Sequence, residues 1–240
     1  MLYGVLLAQV CLYYTAFPND HRLLKLAVLL ELVLETIQTA MFTHDLFRAL
    51  TLGFDNPLLV NEVGTLWFSV ALMTGLIAVV TQVFYCYRAA VFTKSKYAVA
   101  LIAMLSIAQF GSATAVAMRT RAAGHLSNIL GTKPSMITIG IWGASDISCD
   151  TTTAVIMVYY LKKRDTGFQE THNIIKRLIR LTIETGFVTA SFAVFAMVLA
   201  YIPGHPPYYQ ISILIMEKLY SNSMLSALNS WMRVMSNSPS

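Results

Sequence analysis

The hydrophobic pattern of this chain consists of long apolar stretches that alternate with short polar segments. Seven such stretches are each close to the roughly 20 residues that a helix needs to cross a lipid bilayer. They cover residues 1–17, 23–47, 63–87, 97–118, 136–161, 178–202 and 208–228. The pattern predicts an all-α fold, a polytopic seven-helix membrane bundle over residues 1–229, followed by a short polar cytosolic tail over residues 230–240.

The first apolar stretch is the shortest of the seven. As a helix, residues 1–17 would be about 25 Å long, which is less than the ~30 Å hydrocarbon core of a bilayer. Neither a basic N-terminal segment nor a small-residue cleavage site marks this stretch as a signal peptide. We therefore expect a first membrane helix that is truncated in this chain.

The composition supports a membrane protein. Hydrophobic residues make up 56% of the 240 residues and charged residues only 12%, about half the charged fraction of soluble domains. The net charge of +5 lies mostly in short loops, where it sets orientation, so we predict no nucleic-acid partner. We expect a multi-pass protein of the plasma membrane or an endomembrane, with membrane lipids as its surroundings.

Lysine and arginine residues are distributed unevenly between the two sets of turns. Cytosolic loops carry the excess of these residues in membrane proteins. The turns after the first, third and fifth stretches hold Arg22, Lys25, Arg88, Lys94, Lys96, Lys162, Lys163, Arg164, Lys176, Arg177 and Arg180. The other turns hold Arg48, Arg119, Arg121 and Lys133. The bias predicts that the N-terminus is outside and the C-terminus inside.

The turn between the fifth and sixth stretches has the densest basic cluster. Its residues are Lys162, Lys163, Arg164, Lys176, Arg177 and Arg180. Such clusters set topology and attract anionic lipid head groups, at about 1 kcal/mol per residue near the surface. We also consider this turn a candidate docking site for a cytosolic partner, with a merely solvated loop as the alternative.

Three segments resemble one family in their order and spacing. They are YRAAVFTKSKY followed by SIAQFG, then TGFQETHNIIKRLIRLTIETG, and finally KLYSNSMLSALNS. The chain is similar to the seven-span fungal proteins, abundant in mushroom-forming basidiomycetes, that are classed as a domain of unknown function, number 6534. The resemblance implies that Asp150, residues 166–168, residues 218–220 and Asn222 are family positions. It implies no activity.

Ionisable residues inside the apolar stretches are the candidate site. A rise of 1.5 Å per residue places Glu35, Asp150 and Lys218 within a few ångströms of the bilayer midplane. Charged groups at this depth cost roughly 2.5–3.5 kcal/mol each on insertion scales, so they face the bundle interior and form pairs. The candidates for a ligand or an ion are Glu31, Glu35, Asp146, Asp150, Glu184, Lys218 and Asn222.

We expect one central polar cluster, in which Lys218 pairs with Asp150 or Glu35. Glu217 adjoins Lys218 in sequence but projects about 100° away around the helix, so it is a poor partner for that lysine. Two interpretations stay open. The cluster either serves mainly to pack the helices together, or forms a site for a ligand, an ion or a proton.

Motifs of known enzymes are absent from the sequence. We find no H-E-x-x-H, G-x-S-x-G or glycine-rich phosphate loop, and the five histidines lack the spacing of metal ligands. We therefore predict no cofactor and no metal, and we leave any catalytic residue unknown. The favoured function is a non-enzymatic sensor, receptor-like or ligand-binding protein for a small apolar ligand. An intramembrane enzyme with a lipid-like substrate, or a small transporter, is the alternative.

Overall fold

The computed structural model describes residues 1–18, 21–52, 62–93, 95–125, 128–129, 132–163, 169–202 and 209–229. Within its helices, the side chains of residues 52, 91–93, 161, 169–178, 181, 182, 184, 185 and 209 lie outside this description. The predicted polar tail, residues 230–240, also lies outside the described residues.

Seven long helices form the described part of the chain. They are α1 (Leu2–Ala16), α2 (Arg22–Leu52), α3 (a π-helical turn, Trp67–Leu72, continued by Met73–Thr93), α4 (Lys96–Ala123), α5 (Lys133–Lys163), α6 (Gln169–Tyr201) and α7 (Tyr209–Asn229). An isolated bridge between Glu62 and His125 is the β-type pairing among the described residues. The prediction of an all-α fold is confirmed, and a helix lies at each of the seven apolar stretches.

Several helices extend beyond the apolar stretches that predicted them. α3 continues to Thr93, so Arg88 lies buried inside a helix and its guanidinium lies 5.4 Å from the ring centre of Phe84. The prediction that Arg88 belongs to a turn is wrong. α6 begins at Gln169, so the second half of the predicted basic turn is helical. The length of an apolar stretch determines how much of a helix can lie in lipid. It does not determine where the helix begins or ends.

Consecutive helices run antiparallel, as their side-chain contacts show. In α1 and α2, Tyr3 contacts Thr36 and Tyr14 contacts Lys25. In α5 and α6, the hydroxyl of Tyr201 donates to the carbonyl of residue 136. α3 and α4 approach closely at Gly75, where an added Cβ would lie 2.9 Å from the Cβ of Ala113. Small residues of this kind allow close helix packing in membranes.

The first and last helices run parallel and pack against each other. Asn222 Nδ2 donates to the carbonyl oxygen of Leu2 at 3.2 Å, and Asn229 Nδ2 donates to that of Gln9 at 3.0 Å. In each contact the asparagine on α7 comes 220 residues after its partner on α1. The two contacts are seven residues apart on both helices, which is about two helical turns. α1 therefore closes the bundle along the outside of α7.

Among the residues that the structure describes, three helical segments are long and apolar enough to cross a membrane, namely Arg22–Thr51, Trp67–Ala90 and Lys96–Ala123. Shorter apolar segments are Leu2–Ala16 and Gly186–Tyr201. Large apolar side chains are exposed on the outside of the bundle, whereas many polar side chains are buried inside it. This reversed distribution places the candidate residues of the site in the interior.

Candidate functional site

The first polar network joins α2, α3 and α7. Glu31, Glu35 and Gln38 lie four and three residues apart, so they share one face of α2, and all three are fully buried. Ser221 Oγ on α7 lies 2.7 Å from Glu31 Oε1 and 2.6 Å from Glu35 Oε1. Thr81 on α3 donates to Glu31 Oε1 at 3.2 Å. The carboxyl group of Glu31 is therefore held by hydroxyls from α3 and α7, and that of Glu35 by the hydroxyl from α7.

Lys218 supplies a positive charge to this network. Its Nζ forms an ion pair with Glu35 and lies 3.1 Å from Thr39 Oγ1 and 3.3 Å from Gln38 Oε1. An ammonium group has three donors, and the three oxygens on α2 match them. Of the two partners predicted for Lys218, the structure shows Glu35, while Asp150 lies in a different network.

Glu217 extends the same network toward the start of α3. The amide of Gln38 donates to Glu217 and, at 2.9 Å, to the carbonyl oxygen of Ser69. Thr74 Oγ1 donates to Glu217 Oε2 at 2.9 Å. Ser69 lies in the π-helical turn Trp67–Leu72, and π-helical turns are frequent at functional sites. Glu217 thus points away from the neighbouring lysine, as expected, but into the protein.

A second polar network crosses from α3 through α4 to α5. The amide of Gln82 donates to Gln109, whose own amide donates to Asp146. All three side chains are buried. Asp146 Oδ2 has no hydrogen-bond partner among the described residues. The two glutamines therefore connect a carboxyl group on α5 to the middle of α3.

Asp150 lies one turn further along α5. Its Oδ2 accepts hydrogen bonds from the hydroxyl of Tyr220 on α7 and, at 3.1 Å, from Thr189 on α6. α3 and α7 lie between α5 and α2, so the aspartates do not reach the glutamates of the first network. The structure divides the acids between two sets of helix contacts, in place of the single cluster that the sequence predicted.

A partly open cavity of about 30 Å³ lies between α3, α5, α6 and α7. Its lining residues are Thr81, Gln82, Tyr85, Asp150, Thr153, Ala154, Gly186, Thr189, Tyr220 and Ser223. Thr81 belongs to the first network, and Gln82 and Asp150 approach from the other side. The cavity is thus the place where both sets of buried acids come within one or two side chains of each other.

The remaining predicted residues have different positions. Asn222 donates to backbone carbonyls of α7 and α1, which gives it a packing contact in this structure. The side chain of Glu184 lies outside the described residues, as do those of Lys176 and Arg177. Of the remaining basic residues in the predicted turn, Lys162, Lys163 and Arg180 are exposed. Arg164 and the family positions 166–168 lie outside the described residues.

Uncharged polar residues were missed by reasoning that searched for ionisable groups. Gln38, Gln82 and Gln109 connect the acids, and Tyr220 contacts Asp150. The sequence did indicate Gln38, because its spacing after Glu31 and Glu35 places it on the same face of the helix. Gln82 and Gln109 have no acid at helical spacing on their own helices, so a search for ionisable groups did not include them.

The chemistry available to these networks is proton transfer and hydrogen bonding. Buried carboxyl groups, a tyrosine hydroxyl and an ammonium group can exchange protons or hold a polar group at the cavity. Within the described part of the chain, no three His, Cys, Asp or Glu side chains converge as a set of metal ligands.

The fold and site together define an all-helical bundle with an acid-rich interior. Three helices of its described part are long and apolar enough to span a membrane. A family model described as "Family of unknown function (DUF6534)" matches residues 146–232, from the middle of α5 through α7. This match supports the resemblance drawn from the sequence and includes two of its three segments. It contains Asp146, Asp150 and Lys218. No curated protein matches the chain, and no solved structure does.

Proposed function

We propose that this chain is a seven-span integral membrane protein, with its N-terminus outside and its C-terminus in the cytosol, that binds a ligand in a sensor or receptor-like role. The reversed distribution of polarity supports the membrane location. Glu31, Glu35 and Glu217 are fully buried, whereas Leu26, Phe187 and many other large apolar side chains are exposed. Ionisable groups within a bilayer face the bundle interior and form pairs in this way.

The cavity beside Asp150 is the observation that carries the ligand-binding role. Its wall combines a carboxyl group with the hydroxyls of Tyr220 and Thr189, and Ala154 and Gly186 provide apolar or small surface. Ligand sites typically pair a mainly apolar wall with a few convergent polar groups. The cavity of about 30 Å³ admits a small polar group. Because it is partly open, an apolar remainder of the ligand can extend outward.

A ligand at this position would act on helix packing. Asp150, Thr189 and Tyr220 come from α5, α6 and α7, and their hydrogen bonds hold the three helices together. A polar group that competes for Asp150 would weaken one of these bonds and change how the helices pack. A ligand shifts a conformational equilibrium only by its difference in affinity between states. Contacts that the ligand makes and breaks at Asp150 supply such a difference.

An intramembrane enzyme with a lipid-like substrate is the second candidate. The contact between Asp150 and the hydroxyl of Tyr220 favours it, because a carboxyl group and a phenol at the wall of one cavity can serve as an acid and base pair. The two candidates differ in the fate of the bound molecule. A sensor releases it unchanged, whereas an enzyme releases a molecule of different mass.

Native mass spectrometry of the detergent-purified chain tests the ligand site. We expect a bound small molecule on the wild type that is absent from Asp150→Asn. Glu62→Gln is the matched control, because it makes the same carboxylate-to-amide change at an exposed ion pair with Arg48. Equal occupancy in all three proteins would contradict the proposal, and so would the absence of a ligand from all three.

Cysteine labelling tests the orientation. With the native cysteines replaced by serine, we expect Arg121→Cys to react with a membrane-impermeant maleimide on intact cells. Lys163→Cys should react only after permeabilisation. Both positions are exposed in the structure and lie at opposite ends of the bundle. The reverse result would overturn the proposed orientation, and labelling of both positions on intact cells would overturn the seven-span topology.

A further inference from the structure

A second partly open cavity of about 30 Å³ lies between α5, α6 and α7, along the turns of α5 that precede Asp150. Its walls are almost entirely apolar. The lining residues are Ile139, Trp142, Gly143, Asp146, Ala193, Ala196, Met197, Ile213 and Met216. Among the described side chains, Asp146 supplies the one carboxyl group of this wall.

Asp146 has one oxygen satisfied and one oxygen free. Its Oδ1 accepts a hydrogen bond from Gln109, while Oδ2 has no partner in the described part of the chain. The residue is only 5% exposed. An unsatisfied buried oxygen costs about 1–3 kcal/mol, and more when it carries charge. Asp146 belongs to the wall of the cavity, so a group bound there can complete its hydrogen bonds.

We propose that this cavity is a binding site for a lipid-like alcohol, whose hydroxyl group contacts Asp146 Oδ2 and whose apolar part lies along α5 and α6. A hydroxyl group both donates and accepts, so it pairs with Asp146 whether the carboxyl group is ionised or protonated. An ammonium head group has three donors, and two of them would be left without partners among the apolar walls. The chemistry of the cavity therefore selects an alcohol over an amine.

The opening of the cavity faces the apolar exterior. Gly143 and Met197 are partly exposed, and an added Cβ at Gly143 would lie 2.8 Å from Met197 Sδ. Ile141, Val194 and Val198 nearby are exposed. A molecule that enters here comes from the surrounding apolar phase, and the flexible methionine side chain can move aside for it.

Probes of equal chain length test the hydrogen bond. We expect 1-dodecanol to raise the melting temperature of the purified full chain, and dodecylamine and n-dodecane to bind about tenfold more weakly, because the amine leaves donors without partners and the alkane forms no hydrogen bond with Oδ2. Stabilisation by the alkane equal to that by the alcohol would overturn the proposal, as would a failure of the alcohol to stabilise. Equal stabilisation by the amine would overturn the choice of an alcohol.

A cavity-filling variant tests the position. Ala193→Val adds two methyl groups to the wall without touching Asp146, and we expect it to abolish the effect of dodecanol. Ala190→Val makes the same change one turn earlier on α6, outside the lining, and should retain the effect. Retention in Ala193→Val would refute the site. If that variant does not fold, the probe comparison on the wild type still decides.

This inference is separate from the ligand site at Asp150. Asp150→Asn should leave the response to dodecanol unchanged, since Asp150 is absent from the lining of this cavity. Loss of the response in Asp150→Asn together with its retention in Ala193→Val would assign the alcohol to the other cavity and would overturn this proposal.

Discussion

The ion pair between Lys218 and Glu35 gives the most specific prediction about stability. Replacing Lys218 by methionine keeps the length and apolar stem of the side chain and removes the charge. Glu35 is fully buried and would retain only Ser221 as a partner. Breaking a buried ion pair by removing one partner typically costs 3–5 kcal/mol. Since Ser221 still satisfies one oxygen, we expect a loss near the lower limit, about 3 kcal/mol.

A double-mutant cycle isolates the interaction from other effects of the substitutions. Glu35→Gln should also destabilise the protein, because it leaves the ammonium group without its carboxylate. Lys218→Met/Glu35→Gln removes both charges of the pair, so the combined loss should be smaller than the sum of the single losses. We expect a coupling energy of about 2 kcal/mol. The assay is equilibrium unfolding in mixed micelles, followed by tryptophan fluorescence.

An exposed pair in the same chain provides the control. Arg48 and Glu62 lie 2.9 Å apart, and their side chains are 43% and 40% exposed. Exposed pairs contribute about 0–1 kcal/mol, so the cycle of Arg48→Met and Glu62→Gln should show almost no coupling. Additive losses at Lys218 and Glu35, or a coupling no larger than that of the control, would refute the assignment of this ion pair as a stabilising contact.

Four further substitutions test the hydrogen-bond networks in the same unfolding assay. Tyr220→Phe removes one of two donors to Asp150 and should cost about 1 kcal/mol; no loss would show that this contact adds nothing to stability. Asn222→Ala and Asn229→Ala should each lower the free energy of unfolding by about 0.6 kcal/mol. Each should also speed amide hydrogen exchange in α1 alone, because both asparagines contact that helix. Faster exchange throughout the bundle would contradict the assignment of these contacts to the docking of α1. Gln109→Leu should cost about 1–3 kcal/mol by leaving a buried carboxyl group and an amide unsatisfied, and a neutral result would contradict the inferred network.

Much of the fold could be predicted from the sequence because apolar length alone identifies helices of this kind. The seven stretches coincide with seven helices, since polar turns and prolines end each apolar run. The helix ends were harder to predict. Nothing in residues 169–178 breaks a helix, so α6 begins well before its apolar part, and Arg88 lies in a helix that continues past the predicted span.

The polar interior was predicted only in part. The sequence allows an estimate of how deep a residue lies in the bilayer and of its angle around its own helix, but it does not show which other helices pack against that residue. Depth placed Glu35 and Lys218 at the same level, and the structure joins them. Depth could not reveal that α3 and α7 separate α5 from α2, so the pairing of Lys218 with Asp150 was left open. Glu217 was excluded by its rotation relative to Lys218, and the partners on its other side, such as Gln38, were not visible in its own helix.

The parallel pairing of α1 with α7 has a consequence for the order of assembly. α1 is synthesised before α7, which carries Asn222 and Asn229, so the bonds of these asparagines to α1 cannot form until α7 has left the ribosome. The helices between them can pack earlier, through the antiparallel contacts of sequence neighbours. α1 can therefore pack against α2 at an early stage, but its contacts with α7 complete the bundle only after the helices between them have been made.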